Sequence, residues 1–306
     1  MTRFLALLLF SALAVTASAK KPEVYGPEPT MANVSYGPNE RHVLDFWKAE
    51  SDKPTPVAFY IHGGAWRGRD KIDARAWLDI QSLLDADISV VTISYRLLKH
   101  AEEVEPFVKA PMEDSARALQ FVRSKAEEWN LDKERIGVAG VSAGGCTALW
   151  LAYHDDMADP DSADPVERES TRVHCVAVGQ AQTSLDPEEV REWMPLAEYG
   201  AHAFNKKTLD EVIAEGDKVK PWIAKYSPAA LLSKDDPPTM LSYGREAPFP
   251  DPRKGGFLLC HSAAYGVGLQ QRCEELGVSC KLVYGKKKGG EPFALLSDFL
   301  IEALKQ

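Results

Sequence analysis

The chain has 306 residues, of which 45% are hydrophobic and 26% charged, with a net charge of −9. That length and composition allow one large core and leave little room for long disorder or fibrous repeats, and so acidic a balance argues against a nucleic-acid partner. The local exception, Lys286-Lys287-Lys288, is short and reads as a solvated loop.

The chain opens on Met1-Thr2-Arg3, an apolar run from Phe4 to Val15, and Ala17-Ser18-Ala19. A basic start, a short apolar stretch and a small-x-small site read as a signal peptide over residues 1–19, cut after Ala19, with the rest secreted or periplasmic. The run falls short of the roughly 18 apolar residues that span a bilayer, so no membrane span is expected after cleavage.

Beyond it, apolar runs alternate with helical patterns, as a mostly parallel sheet with crossover helices requires. Strands are expected over residues 56–61, 89–95, 135–140, 174–179, 239–243 and 280–284, whose Val and Ile content suits strands covered on both faces. Over residues 114–129 the apolar side chains of Ala118, Phe121, Val122 and Ala126 fall at helical spacing, with Asp114 or Ser115 as the N-cap. Further helices are expected after Ser142, over 263–276 and over 295–304. Residues 183–237 break the alternation, being acidic and helix-like with Trp193, Tyr199, Phe204 and Trp222 among the charges. A simple crossover needs only about a dozen residues, so this stretch is read as a helical cap inserted between two strands of a single domain over residues 20–306.

The five cysteines, Cys146, Cys175, Cys260, Cys273 and Cys280, include no C-x-x-C pair, so no structural zinc site is expected. Cys273 lies one short turn before Cys280, across Gly277. That spacing is open to a bridge, beside the alternative of two separate buried thiols.

The sharpest chemical signal is Gly140-Val141-Ser142-Ala143-Gly144-Gly145, set directly after an expected strand and before an expected helix. A serine at the apex of such a turn sits in strained backbone, and flanking glycines let helix and strand approach. The helix N-terminus then aims N–H groups and a positive dipole end at charge developing near the hydroxyl. A second signal is the strand ending Tyr60-Ile61 that runs into His62-Gly63-Gly64-Ala65-Trp66. Acyl transfer needs N–H donors converging on an oxyanion. Gly63 or Gly64 can supply one and Ala143 the other.

The HGGAW run, Ser94-Tyr95-Arg96-Leu97, Asp114 before a helix, and the DKERIGVAGVSAGG run from Asp132 resemble the α/β-hydrolase superfamily over about residues 40–306. Within it they look most like the bacterial esterases and lipases that include hormone-sensitive-lipase relatives and the carbohydrate esterases acting on feruloyl or acetyl groups. The resemblance implies an α/β-hydrolase fold with Ser142 as nucleophile and an oxyanion hole from the His62 loop and Ala143. His62 would orient that loop, and Trp66 would wall the substrate pocket.

The order of triad members in this fold is serine, acid, histidine. The acid is expected after the 239–243 strand, where Asp251 is the first candidate and Glu246 the alternative. The histidine belongs after the last strand, but residues 285–296 contain none, and by resemblance Phe293 stands where relatives carry it. His154 lies roughly 18 Å along the helix from Ser142. His174 opens a strand at the sheet edge opposite the site, and His42 and His100 sit in no motif. Two candidates remain: His261, which follows both acids and precedes the 263–276 helix, and His202 in the cap.

These residues describe a serine hydrolase acting on a carboxylic ester through an acyl-enzyme, with no metal or organic cofactor, and the resemblance implies that the ester is carbohydrate-borne or aryl. An arylformamidase-like amidase shares the HGG-x-W loop. The missing late histidine also leaves open a pseudo-hydrolase that binds a ligand or partner without turnover.

Overall fold

The computed structural model describes residues 26–101, 103–195, 197, 201–244, 259–285 and 292–306, without the side chains of 292–294. Its core is an eight-stranded sheet in the order β1-β2-β4-β3-β5-β6-β7-β8. The strands are β1 Met31–Ser35, β2 Val43–Trp47, β3 Thr55–Ile61, β4 Ser89–Ile93, β5 Leu131–Val141, β6 Cys175–Gly179, β7 Thr239–Tyr243 and β8 Cys280–Tyr284. From β4 through β8 all neighbours are parallel, while β2 runs antiparallel to both β1 and β4.

The six expected strands are present, with ends moved by up to a few residues. The antiparallel pair β1 and β2 went unread in the sequence: β1 is an edge strand with no buried residue, and in β2 the charged Asp45 interrupts the apolar run. β3, β4, β6 and β7 are buried along their whole length, as strands covered on both faces must be. Residues of β3 alternate between two apolar layers, Val57, Phe59 and Ile61 in one and Ala58 and Tyr60 in the other, following the period of two along a strand.

The described helices are α1 Ile80–Asp85, α2 Lys109–Ser124, α3 Ala126–Trp129, α4 Ala143–Tyr153, α5 Pro187–Trp193, α6 Leu209–Ile213, α7 Lys220–Tyr226, α8 Pro228–Leu231, α9 Ala263–Leu276 and α10 Pro292–Leu304. α2 and α4 pack in the layer with Phe59, α1 and α10 in the layer with Tyr60.

The N-cap expected at Asp114 or Ser115 is corrected. α2 begins five residues earlier, with Pro111 tolerated in its first turn, and the Asp114 carboxylate is engaged elsewhere. It accepts from Arg96 Nε and Nη2 and from the Arg96 backbone N–H, and His42 Nε2 lies 3.0 Å from it. Burial raises the Asp114 pKa, but the neighbouring His42 and Arg96 outweigh it and hold the carboxyl below the usual range.

Between β6 and β7 lie α5 to α8 and intervening turns, the stretch expected as a cap. Trp193 of α5 lies against Gly268 of α9, where a side chain would strike its indole, and Glu189 of α5 pairs with Arg272 of α9. The five cysteines are free thiols. The bridge considered for Cys273 and Cys280 is therefore not formed, and a hydrogen bond to Cys280 lowers the Cys273 thiol's pKa. Among the described residues no helix is long and apolar enough to cross a membrane, and no cluster of His, Cys, Asp or Glu could hold a metal ion. The expected signal peptide and Lys286-Lys287-Lys288 lie outside the described residues.

Candidate active site

β5 runs straight into Ser142, whose φ of 55° and ψ of −122° fall outside the regions open to ordinary side chains. Two glycines make this turn possible. A Cβ on Gly140 would strike the Gly144 carbonyl, and one on Gly144 would strike the carbonyl oxygens of Ile61 and His62. The Ser142 N–H donates to the Gly179 carbonyl of β6 at 2.8 Å, which anchors the turn to the neighbouring strand.

The loop after β3 approaches the same point. Gly63 lies so close that a Cβ there would sit 2.6 Å from the Val141 carbonyl and 3.5 Å from Ser142 Cβ. Gly64 takes a φ of 94°, which suits glycine. Among the described residues no acceptor takes the N–H groups of Gly63, Gly64 or Ala143, the donors expected at an oxyanion.

His62 holds this loop from inside. Its ring stacks on Tyr95 at 4.1 Å, its Nδ1 lies 2.8 Å from the Gly63 carbonyl, and the Tyr95 hydroxyl donates to the His62 carbonyl at 2.7 Å. Burial pushes the His62 pKa down to about 3, so the ring is neutral at ordinary pH. Arg41, which no sequence motif marked, donates to the carbonyls of Tyr95 and Arg69 at 2.7 and 2.8 Å and so ties the loop to its neighbours.

The histidine near Ser142 is His261, whose Nε2 lies 2.9 Å from Ser142 Oγ. It sits in the short turn before α9, whose N-cap Ser262 accepts from the Ala264 N–H. His154 caps the far end of α4, and His174 precedes β6. Both acid candidates, Glu246 and Asp251, lie outside the described residues, and Phe293 is within α10 with its side chain undescribed.

The pocket above Ser142 has a volume of about 250 Å3 and is bounded by the loops after β3, β5 and β6 and by the His261 turn. His202 lines it from the stretch between β6 and β7. Burial, with Arg67 and His261 nearby, pushes the His202 pKa down to about 4. Trp66 is corrected: it does not wall the pocket. The left-handed backbone at Ala65 and Trp66, each with φ of 54°, turns the indole inward. There it is fully buried and donates to Thr147 Oγ1 at 2.9 Å. Trp77, Gln180 and Gln182 line the pocket instead. The two glutamines were missed, although residues just past the carboxyl end of a parallel strand are where such sites form.

Among solved structures, the chain resembles a truncated form of a carbohydrate esterase from gut microbiota, with a TM-score of 0.66 and 20% identity over 94% of this chain and 99% of that one. That likeness is one of fold, and the fold is that of the α/β-hydrolases. Esterase LipC of Mycobacterium tuberculosis is 33% identical over 219 residues, 69% of this chain and 49% of that protein. Carboxylesterase NlhH of the same organism is 38% identical over 120 residues, 38% of this chain and 34% of that protein. The chain thus matches between about a third and a half of the length of these two relatives. A family model described as BD-FAE matches residues 44–254, more than half of the sequence and including the Ser142 turn, and by that match the chain belongs to the BD-FAE family.

Proposed function

We propose that this protein hydrolyses carboxylic esters through an acyl-enzyme on Ser142, with His261 as base. The observation that carries this reading is the 2.9 Å approach of His261 Nε2 to Ser142 Oγ, at a strained turn beside unaccepted N–H groups.

In the first step Ser142 Oγ attacks the acyl carbon while its proton passes to His261 Nε2. The electron pair moves to the carbonyl oxygen, which takes hydrogen bonds from Ala143 and from Gly63 or Gly64. Collapse expels the alcohol oxygen, which receives the proton from His261. Water then gives a proton to His261, attacks the ester on Ser142, and releases the acid as Ser142 recovers its proton. Asp251 or Glu246 would orient the imidazole and stabilise its charged form. No metal or cofactor enters these steps.

The substrate class this reading favours is a polysaccharide-borne or aryl ester: Trp77 and, from the stretch between β6 and β7, His202 line the pocket, and the carbohydrate esterase among the structural neighbours supports that substrate class. Export would bring the enzyme to such a polymer. N-terminal sequencing of secreted protein is expected to begin at Lys20, and an intact Met1 on secreted material refutes cleavage. The alternative, a binding scaffold without turnover, rests on the lack of a histidine in residues 285–296, and the 2.9 Å approach of His261 to Ser142 supports the enzyme instead.

The decisive test is mass spectrometry after treatment with a fluorophosphonate. One adduct on Ser142 is expected, together with turnover of short acyl esters. Labelling that survives Ser142→Ala overturns the assignment.

A further inference from the structure

His261 reaches Ser142 from the turn between β7 and α9, and the residues that hold that turn decide whether its imidazole arrives in register. The turn closes on itself through the Ser262 N–H donating to the Leu259 carbonyl at 3.1 Å. From the loop after β6, Gln182 Nε2 donates to the Cys260 carbonyl at 2.7 Å. That carbonyl belongs to the peptide plane ending at the His261 nitrogen, so holding it limits how the His261 backbone can rotate.

Gln182 is itself well fixed. It is 2% exposed. Tyr243 of β7 donates to the carbonyl of Ala181 just before it at 2.8 Å, and Thr183 just after it donates to the Tyr265 carbonyl of α9 at 2.8 Å. The amide can face only one way, because the Cys260 carbonyl needs a donor. Gln182 Oε1 is then left buried without a partner among the described residues, in a side chain that lines the pocket.

We propose that Gln182 is a positioning residue, which sets the His261 imidazole on Ser142 by clamping the Cys260 carbonyl. This rests on the esterase reading above. Gln182 takes no proton and forms no bond to substrate in this role. It shortens the search of the imidazole for its working position.

The experiment compares the full-length parent with Gln182→Met and Gln182→Glu, alone and combined with His261→Ala. Met keeps the volume and loses the amide; Glu keeps the shape and sets an acceptor against the Cys260 carbonyl. Misplacement on the scale of an ångström is expected to cut kcat on a short acyl ester by about 100-fold with little change in KM. Fluorophosphonate labelling of Ser142 slows in parallel, and the histidine inflection in the pH profile of kcat/KM moves. In the His261→Ala background neither variant adds a further loss, since a residue acting through His261 has nothing left to position.

The inference alone is overturned by parent-like turnover in both variants, or by an undiminished extra loss on top of His261→Ala. A lowered unfolding temperature with kcat and pH inflection intact also overturns it, as a merely structural role. Should Gln182→Met fail to fold, Gln182→Glu carries the same readouts. A parent that neither labels at Ser142 nor depends on His261 overturns the esterase reading, and this inference with it.

Discussion

Ser142 Oγ and His261 Nε2 stand 2.9 Å apart although 119 residues separate them along the chain. The serine is placed by a strand-to-helix turn, the histidine by a turn folded over the carboxyl edge of the same sheet.

With that pair at work, activity on short acyl esters should rise with pH as the histidine base loses its proton. His261→Ala should remove the rise and cut turnover by roughly 10,000-fold, while His202→Ala should change kcat by less than about tenfold. Equal losses in the two variants would mean that the base has been misassigned.

The Tyr95 hydroxyl donates to the His62 carbonyl at 2.7 Å and lies 3.3 Å from that of Gly63. Tyr95→Phe leaves buried carbonyls short of a donor, at a cost of about 1–3 kcal/mol in denaturant unfolding. Turnover should fall as well, because the same loop carries the Gly63 and Gly64 donors. Unchanged stability would show that water replaces the hydroxyl.

Gly144 lies where a Cβ would run into the backbone carbonyls of Ile61 and His62. Backbone gives way less readily than a flexible side chain, so Gly144→Ala should cost about 3 kcal/mol and displace Ser142. Chemical denaturation and fluorophosphonate labelling would read the two effects separately. An alanine variant with parental stability and labelling contradicts the close packing of α4 on β3.

Two buried histidines make the fold sensitive to acid. Burial pushes His62 down to about 3 and His202 down to about 4, against an unfolded value of 6.5. Each therefore contributes stability that is fully present above pH 6.5 and is lost as pH falls towards its folded pKa. Asp236, pushed up to about 6 by burial, acts in the opposite sense between its folded value and the usual 3.8. The melting temperature should thus fall between pH 6.5 and 4, and His202→Leu should fall less than the parent over that window. Parallel curves for the two proteins would show that His202 is not held neutral by the fold.

The sequence by itself determined six of the strands and their alternation with helices, the Ser142 turn and the glycine loop after His62, because each depends on neighbours a few residues apart. Val and Ile runs, a serine among small residues and a strand running into glycines carry their geometry locally. The pair β1 and β2 escaped it, since β1 is exposed and the charged Asp45 interrupts the apolar run of β2. So did the start of α2, where Asp114 looked like a cap until Arg96 and His42 were seen to claim its carboxylate. Only the tertiary structure decided which histidine meets Ser142, that Trp66 turns away from the pocket, and that Gln182 holds the Cys260 carbonyl. Each of these is a meeting of segments distant in sequence or a choice of backbone conformation. Packing of the loops against one another over the sheet edge sets them, and no local run of residues encodes that.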